Sequence, residues 1–205
     1  MHIGVDESGK GDFFGPLCVA GVLVDEKSEQ FFLELGIKDS KKISDKKILD
    51  LEKKIRANAP YSVVAISNGK YNELYGNIKN LNKLLAWGHA RVIENICENH
   101  ECDYALSDQF GDESLIKSAL MKYGRNIEFK QMVRAESDIA VAAASILARA
   151  TYVRKMIEME ETYGIKFPKG CSQLVKDAAK EFISKYGKAR LKEVCKAHFK
   201  TFNEV

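Results

Sequence analysis

One stretch near the start of the chain restricts the fold more than any other. Gly4-Val5-Asp6-Glu7-Ser8-Gly9-Lys10-Gly11-Asp12-Phe13-Phe14-Gly15-Pro16 lies between two apolar runs of strand length, residues 2–6 and 16–24. Glycine at this density marks a loop, so the pattern predicts strand, loop, strand, with Asp6 closing the first strand and Glu7 opening the loop. The spacing from Gly4 to Lys10 also imitates a phosphate-cradling loop of the G-x-x-x-x-G-K type. Three features oppose that reading. Gly11 replaces the Ser or Thr such loops need, Asp6 and Glu7 place negative charge where polyphosphate would sit, and Gly15-Pro16 leads into a strand rather than a helix. Read as carboxylate chemistry, the segment is consistent. Adjacent acids on a rigid strand end supply the hard oxygens that Mg²⁺ prefers. Gly9 and Gly11 admit a ligand close to the backbone, and Lys10 adds positive charge.

The remaining periodicity describes an α/β chain. Ser44 reads as a helix N-cap ahead of Ile48, Leu51 and Ile55, and Leu81, Leu84, Leu85, Val92, Ile93 and Ile96 form one stripe of a helix over 80–99. Strands are expected at 61–67, 104–107 and 127–132, and a helix at 113–123. The C-terminal third is expected to be helical, broken near Phe167-Pro168-Lys169-Gly170. With 205 residues, three prolines and no Gly/Ser linker, the simplest organisation is one domain over 1–205. Hydrophobic residues at 45% are too many for disorder, and no apolar run approaches the roughly 18 residues that span a bilayer. The N-terminus lacks the basic and apolar regions of a signal peptide. A soluble cytoplasmic protein, not bound to membrane, is therefore expected.

Charge and cysteine usage agree with this. The net charge of +3 conceals an asymmetry: residues 163–205 carry ten Lys/Arg against four Asp/Glu, while the rest of the chain is slightly acidic. A basic helical C-terminal segment suits an anionic partner, though a solvated helix surface carries the same composition. Five cysteines without a C-x-x-C pair argue against a zinc site, and Cys18 within an apolar run reads as core.

Two further acids repeat the logic of Asp6. Asp108 follows the short strand Tyr104-Ala105-Leu106-Ser107, and Glu136 is expected to begin a helix whose body, 139–150, is small and apolar. A helix N-terminus favours an acid in any case, so capping is the plainer account of Glu136. Three separate segments each deliver acids to element ends, as two-metal phosphoryl-transfer sites require.

With these residues in view, the chain resembles ribonuclease HIII, a type 2 ribonuclease H. The resemblance rests on Asp6 to Pro16, Asp39-Ser40-Lys41-Lys42, the run from Asn80 to His89, and Ser107-Asp108-Gln109-Phe110. It continues in Arg134-Ala135-Glu136-Ser137, in Ala142 to Arg149 and in Lys196-Ala197-His198-Phe199-Lys200-Thr201. It implies an RNase H-like fold, a central mixed β-sheet flanked by helices with a helical C-terminal region. It also implies Mg²⁺- or Mn²⁺-dependent hydrolysis of the RNA strand of RNA/DNA hybrids at a two-metal site, leaving 5′-phosphate and 3′-hydroxyl ends. The catalytic and metal-binding acids would be Asp6, Glu7, Asp108 and Glu136. Glu136 and Lys10 resemble HIII, since HII has Asp and Gly-Arg-Gly there. The backbone of Gly9, Lys10 and Gly11 would meet the 2′-hydroxyl side of the substrate, with Ser40, Lys41, Lys42, Asn80 and Ser172 as further substrate contacts. A monomer without nucleotide cofactor is expected.

Two departures modify these expectations. The family usually carries a substrate-binding domain ahead of the catalytic one, whereas here the first catalytic strand begins at residue 2, so weaker hybrid affinity is expected. Where HII has a junction-sensing Tyr after the glycine of its C-terminal Lys-Gly motif, this chain has Cys171. Cleavage at junctions by an HII-like enzyme, and a non-catalytic hybrid-binding module, are the alternatives. Asn80 serves equally well as a helix N-cap, Trp87 is expected in the core, and His89 and His198 are expected to be structural.

Overall fold

The structure, a computed structural model, describes residues 1–38, 40 and 43–205. The chain divides into two compact units: Met1–Glu7, Val19–Val64 and Asn80–Ala150 form the first, and Ser8–Cys18, Ala65–Lys79 and Thr151–Val205 the second.

The first unit is built on a mixed five-stranded sheet in the order β3-β2-β1-β4-β5. Its strands are β1 (His2–Ser8), β2 (Leu17–Val24), β3 (Tyr61–Ile66), β4 (Tyr104–Asp108) and β5 (Glu128–Met132). β1 pairs parallel with β4, and β4 parallel with β5. β2 is buried along its whole length, which explains its unbroken apolar sequence. The even-numbered residues Ala20, Val22 and Val24 face a core made with α1 (Glu26–Glu34), α2 (Asp45–Asn58) and the first half of α6 (Ile139–Tyr163). The odd-numbered residues face α4 (Leu81–Cys97), where Gly21 lies against Val92 and Ile96. α3 (Asn68–Ile78) and α5 (Ser114–Ala119) complete the elements before α6.

The second unit has its own core. Phe13 and Phe14 pack against Tyr152 and Met156 of α6, Phe182 of α7 (Gln173–Tyr186) and Leu191 and Cys195 beyond it. A short α8 (Lys200–Glu204) ends the chain.

The predicted N-caps are present: Ser44 and Asn80 accept the Lys47 and Lys83 N–H groups through their side chains. Several expectations need correction. β1 continues through Glu7 and Ser8, so Glu7 is a strand residue. The helix expected at 113–123 covers only Ser114–Ala119. α1, capped by Asp25, and α3 occupy stretches where the sequence pattern predicts no element. Glu136 does not begin a helix: it sits in the 3₁₀ turn Ala135–Ser137. The cap of α6 is Asp138, whose Oδ1 accepts the N–H groups of Ala140 and Val141, because a side chain just ahead of the first turn reaches those donors better. His2 Nε2 bonds the same carboxylate at 2.9 Å. Trp87 is not core: it is 38% exposed, with the Arg91 guanidinium 5.9 Å from its ring. After Gly4-to-Lys10 no helix follows, so the phosphate-loop spacing is coincidental.

The alanines of α6 bring its backbone onto β1. A Cβ at Gly4 would collide with the Ala140 carbonyl carbon and the Val141 nitrogen. Backbone atoms cannot give way as a flexible side chain would, so Gly4→Ala should lower unfolding stability by roughly 2 kcal/mol or more. Urea denaturation measures this, and an unchanged midpoint would contradict the close approach.

Candidate active site

Strand register brings the first two acids together. Val5 lies opposite Ser107 in the parallel β1/β4 ladder, and the next residue on each strand is Asp6 and Asp108. Adjacent strands lie about 4.8 Å apart. Alternation along the pleat sends Asp6 to the same face as Gly4, which meets α6. Asp108 shares its face with Leu106, which packs on Ala135 and Val141. Asp108 Oδ1 accepts the Ala135 N–H at 3.3 Å. That bond requires a sharp reversal, made at Arg134 with φ 59° and ψ 45°, a left-handed conformation uncommon outside glycine. Glu136 follows Ala135 directly in that turn.

Glu7 departs from this arrangement. Alternation turns it to the opposite face, toward α4, where its Oε2 lies 2.9 Å from His89 Nε2. Its backbone N–H donates to Asp6 Oδ1 at 2.8 Å. All four acids are partly buried and none is sealed off. Two carboxylates on neighbouring strand ends repel unless a cation lies between them. Among the described residues no three His, Cys, Asp or Glu side chains form a ready-made metal cage. The donor set instead fits a cation that takes one or two carboxylates and completes its shell with water and phosphate oxygens, as Mg²⁺ does.

The glycine-rich loop, in the second unit, separates its two glycines by role. Gly9, at φ 89°, is demanded from inside: a Cβ there would strike the Pro16 carbonyl oxygen and come within 2.9 Å of the Tyr152 ring. Gly11 has nothing near the place a Cβ would take and is exposed. Its open side is where a ligand can reach the backbone. Lys10 lies half-buried between them. Asp12 accepts the Gly170 N–H at 2.6 Å, and Phe13 N–H donates to the Gly170 carbonyl at 3.0 Å. These bonds tie the loop to the turn bearing Ser172, which is exposed at the head of α7 with its hydroxyl not used as a cap. Asn80 is exposed, but its side-chain oxygen caps α4. Ser40 is buried and its carbonyl accepts from Arg149. Lys41 and Lys42 lie outside the described residues.

The family model for Ribonuclease HII matches residues 3–202 of this chain. Ribonuclease HIII of Protochlamydia amoebophila is 46% identical over 204 residues, covering 100% of this chain and 68% of the relative. That of Chlamydia felis is 48% identical over 207 residues, covering 100% of this chain and 69% of the relative. The chain belongs to the type 2 ribonuclease H family, among the ribonucleases HIII. It is an enzyme of the ribonuclease H class. The crystal structure of Bst-RNase HIII in complex with Mn²⁺ superposes with a TM-score of 0.92 at 30% identity, covering 99% of this ribonuclease and 68% of that chain. That of Aquifex aeolicus RNase H3 gives 0.78 at 29% identity, covering 95% and 70%. In this ribonuclease no helix is long and apolar enough to cross a membrane, among the described residues.

Sequence reasoning missed what Lys196 does. Its side chain is fully buried, and its Nζ donates to the Asp12 carbonyl at 2.9 Å and the Gly15 carbonyl at 2.6 Å, beneath the glycine-rich loop. The motif Lys196-Ala197-His198-Phe199 was visible, but a lysine in sequence gives no sign of burial. Burial pushes this ammonium down from the ordinary 10.5 to about 8, against the opposing pull of Asp12. Between those two values the unfolded chain holds a proton that the folded protein lacks, so stability should rise with pH there. A displacement of that size corresponds to roughly 3 kcal/mol, reached gradually from pH 8 to 10.5. Relative to Lys196→Met, the unaltered enzyme should gain that stability across this window in denaturant titrations. Parallel curves would show that the buried group does not titrate as described.

Proposed function

We propose that this ribonuclease H hydrolyses the RNA strand of RNA/DNA hybrids with two divalent cations, Mg²⁺ or Mn²⁺, leaving 5′-phosphate and 3′-hydroxyl ends. The observation that carries the proposal is the pairing of Asp6 with Asp108 at neighbouring parallel strand ends, beside the turn that bears Glu136. Asp6, Asp108, Glu136 and Glu7 would hold the cations, which when bound supply charge stabilisation for the leaving oxygen and activation of the attacking water. Asp6 is steadied by the Glu7 N–H and Asp108 by the Ala135 N–H, so both carboxylates are oriented before a ligand arrives. The exposed backbone at Gly11, with Gly9 and Lys10, takes the 2′-hydroxyl side of the RNA strand, the group that distinguishes RNA from DNA. Ser172 and Asn80, both exposed, with Lys41 and Lys42 are proposed to contact the duplex backbone, which gives affinity without sequence reading; Ser40, expected among these contacts, is buried and is left out of them.

Asp6→Asn and Asp108→Asn should each lower turnover on a hybrid by on the order of 10³-fold, the rate equivalent of several kcal/mol of charge stabilisation. Chelation should abolish turnover and either cation restore it. Either variant cleaving at near-native rate with metal would remove its residue from the mechanism, and hybrid binding without metal-dependent cleavage would favour a binding module.

The HIII-type preference is argued from Cys171, exposed next to Gly170 where HII enzymes have a tyrosine. Continuous RNA tracts should be cut well and a single ribonucleotide within DNA poorly. Equal rates on the two duplexes, compared side by side, would favour the HII-like reading.

A further inference from the structure

We propose that His89 is a positioning residue that holds the Glu7 carboxylate in place as a ligand for the divalent cation. The inference rests on the reading of Glu7 as a metal ligand. His89 is 1% exposed, yet it lies on an otherwise apolar face of α4, among Leu85, Val92 and Ile96. A polar ring in such surroundings needs a partner, and Glu7 Oε2 at 2.9 Å is that partner. The other ring nitrogen, Nδ1, is buried with no hydrogen-bond partner among the described residues. A carboxylate oxygen only accepts, so Nε2 carries the hydrogen that bonds Glu7.

Two neighbours fix the ring itself. Phe110 lies 4.8 Å away at 62°, an edge-on contact, and it follows Asp108 by two residues. On the helix, Gly88 permits the approach: a Cβ there would come within 2.9 Å of Val19 Cγ2 on β2. The Trp87-Gly88-His89 and Asp108-Gln109-Phe110 motifs thus acquire a shared purpose. Glycine lets α4 sit close on the sheet, histidine reaches the strand end, and phenylalanine holds the imidazole from the β4 side.

The consequence concerns order. Alternation directs Glu7 away from Asp6 and Asp108, and a long glutamate side chain loses rotamer entropy when it is fixed. A buried imidazole bonded to one carboxylate oxygen removes that freedom before a cation binds. Residues that orient metal ligands in this way typically contribute about 10–100-fold in metal affinity or activity.

The test reads Mn²⁺ affinity directly, by electron paramagnetic resonance of free Mn²⁺ titrated with enzyme and no substrate, at one pH. Thermal melts without metal confirm that each variant is folded. His89→Leu should weaken Mn²⁺ binding by about tenfold or more, and His89→Gln, whose amide can still donate to Glu7, should restore most of the loss. Glu7→Gln should weaken binding as well, and Glu7→Gln with His89→Leu should be no weaker than Glu7→Gln alone, since the two act through one carboxylate. If His89→Leu does not fold, His89→Asn, too short to reach Glu7, stands in with the same expectation. Native affinity in Glu7→Gln would overturn the reading of Glu7. Weakened binding in Glu7→Gln with native binding in His89→Leu would overturn the role of His89 alone. Equal loss in the leucine and glutamine variants would assign the effect to packing and reject the hydrogen bond.

Discussion

The contact between Gly4 and the backbone of α6 at Ala140 is the constraint from which the arrangement of acids follows. A helix so close to a strand leaves no space for side chains between them, which is why residues 139–150 are so rich in alanine. With β1 held there and β4 beside it in register, alternation fixes the rest. Even-numbered positions on β1 look toward α6 and odd-numbered ones toward α4. Asp6 and Glu7, adjacent in sequence, therefore serve one strand end from opposite faces, each with its own supporting bond.

The support includes donors from the backbone and from a ring nitrogen. Asp6 and Asp108 take backbone N–H groups, Asp138 takes two more, and Glu7 takes the imidazole of His89. A backbone N–H orients a carboxylate oxygen without adding a formal charge of its own.

How much was legible in the sequence depended on the range of the interaction. Ser44 and Asn80 were readable as caps because a cap bonds a residue three positions away. Asp6, Asp108 and the strands bearing them were readable because apolar runs end abruptly at each acid. Glu136 was placed one element too late, since Asp138 competes for the same helix start and only geometry decides between them. Trp87 looked apolar enough for the core, yet it falls on the outward face with Lys83 and Arg91, one helical turn either way. The roles of His89 and Lys196 were hidden for a different reason. Their partners lie 82 and 184 residues away, and nothing local marks a polar side chain as buried.

The bonds beneath the glycine-rich loop have a thermodynamic meaning. From Asp12 to Gly15 each carbonyl has a donor behind it: Lys196 Nζ, the Lys196 N–H, the Tyr152 hydroxyl, and Lys196 Nζ again with Asn68. Phe13 and Phe14 bury their rings on the same side. A loop anchored this fully has little conformational entropy left to surrender when a nucleic acid strand settles on its open side at Gly11. Binding energy at that surface then goes to recognition, with little diverted to ordering the loop.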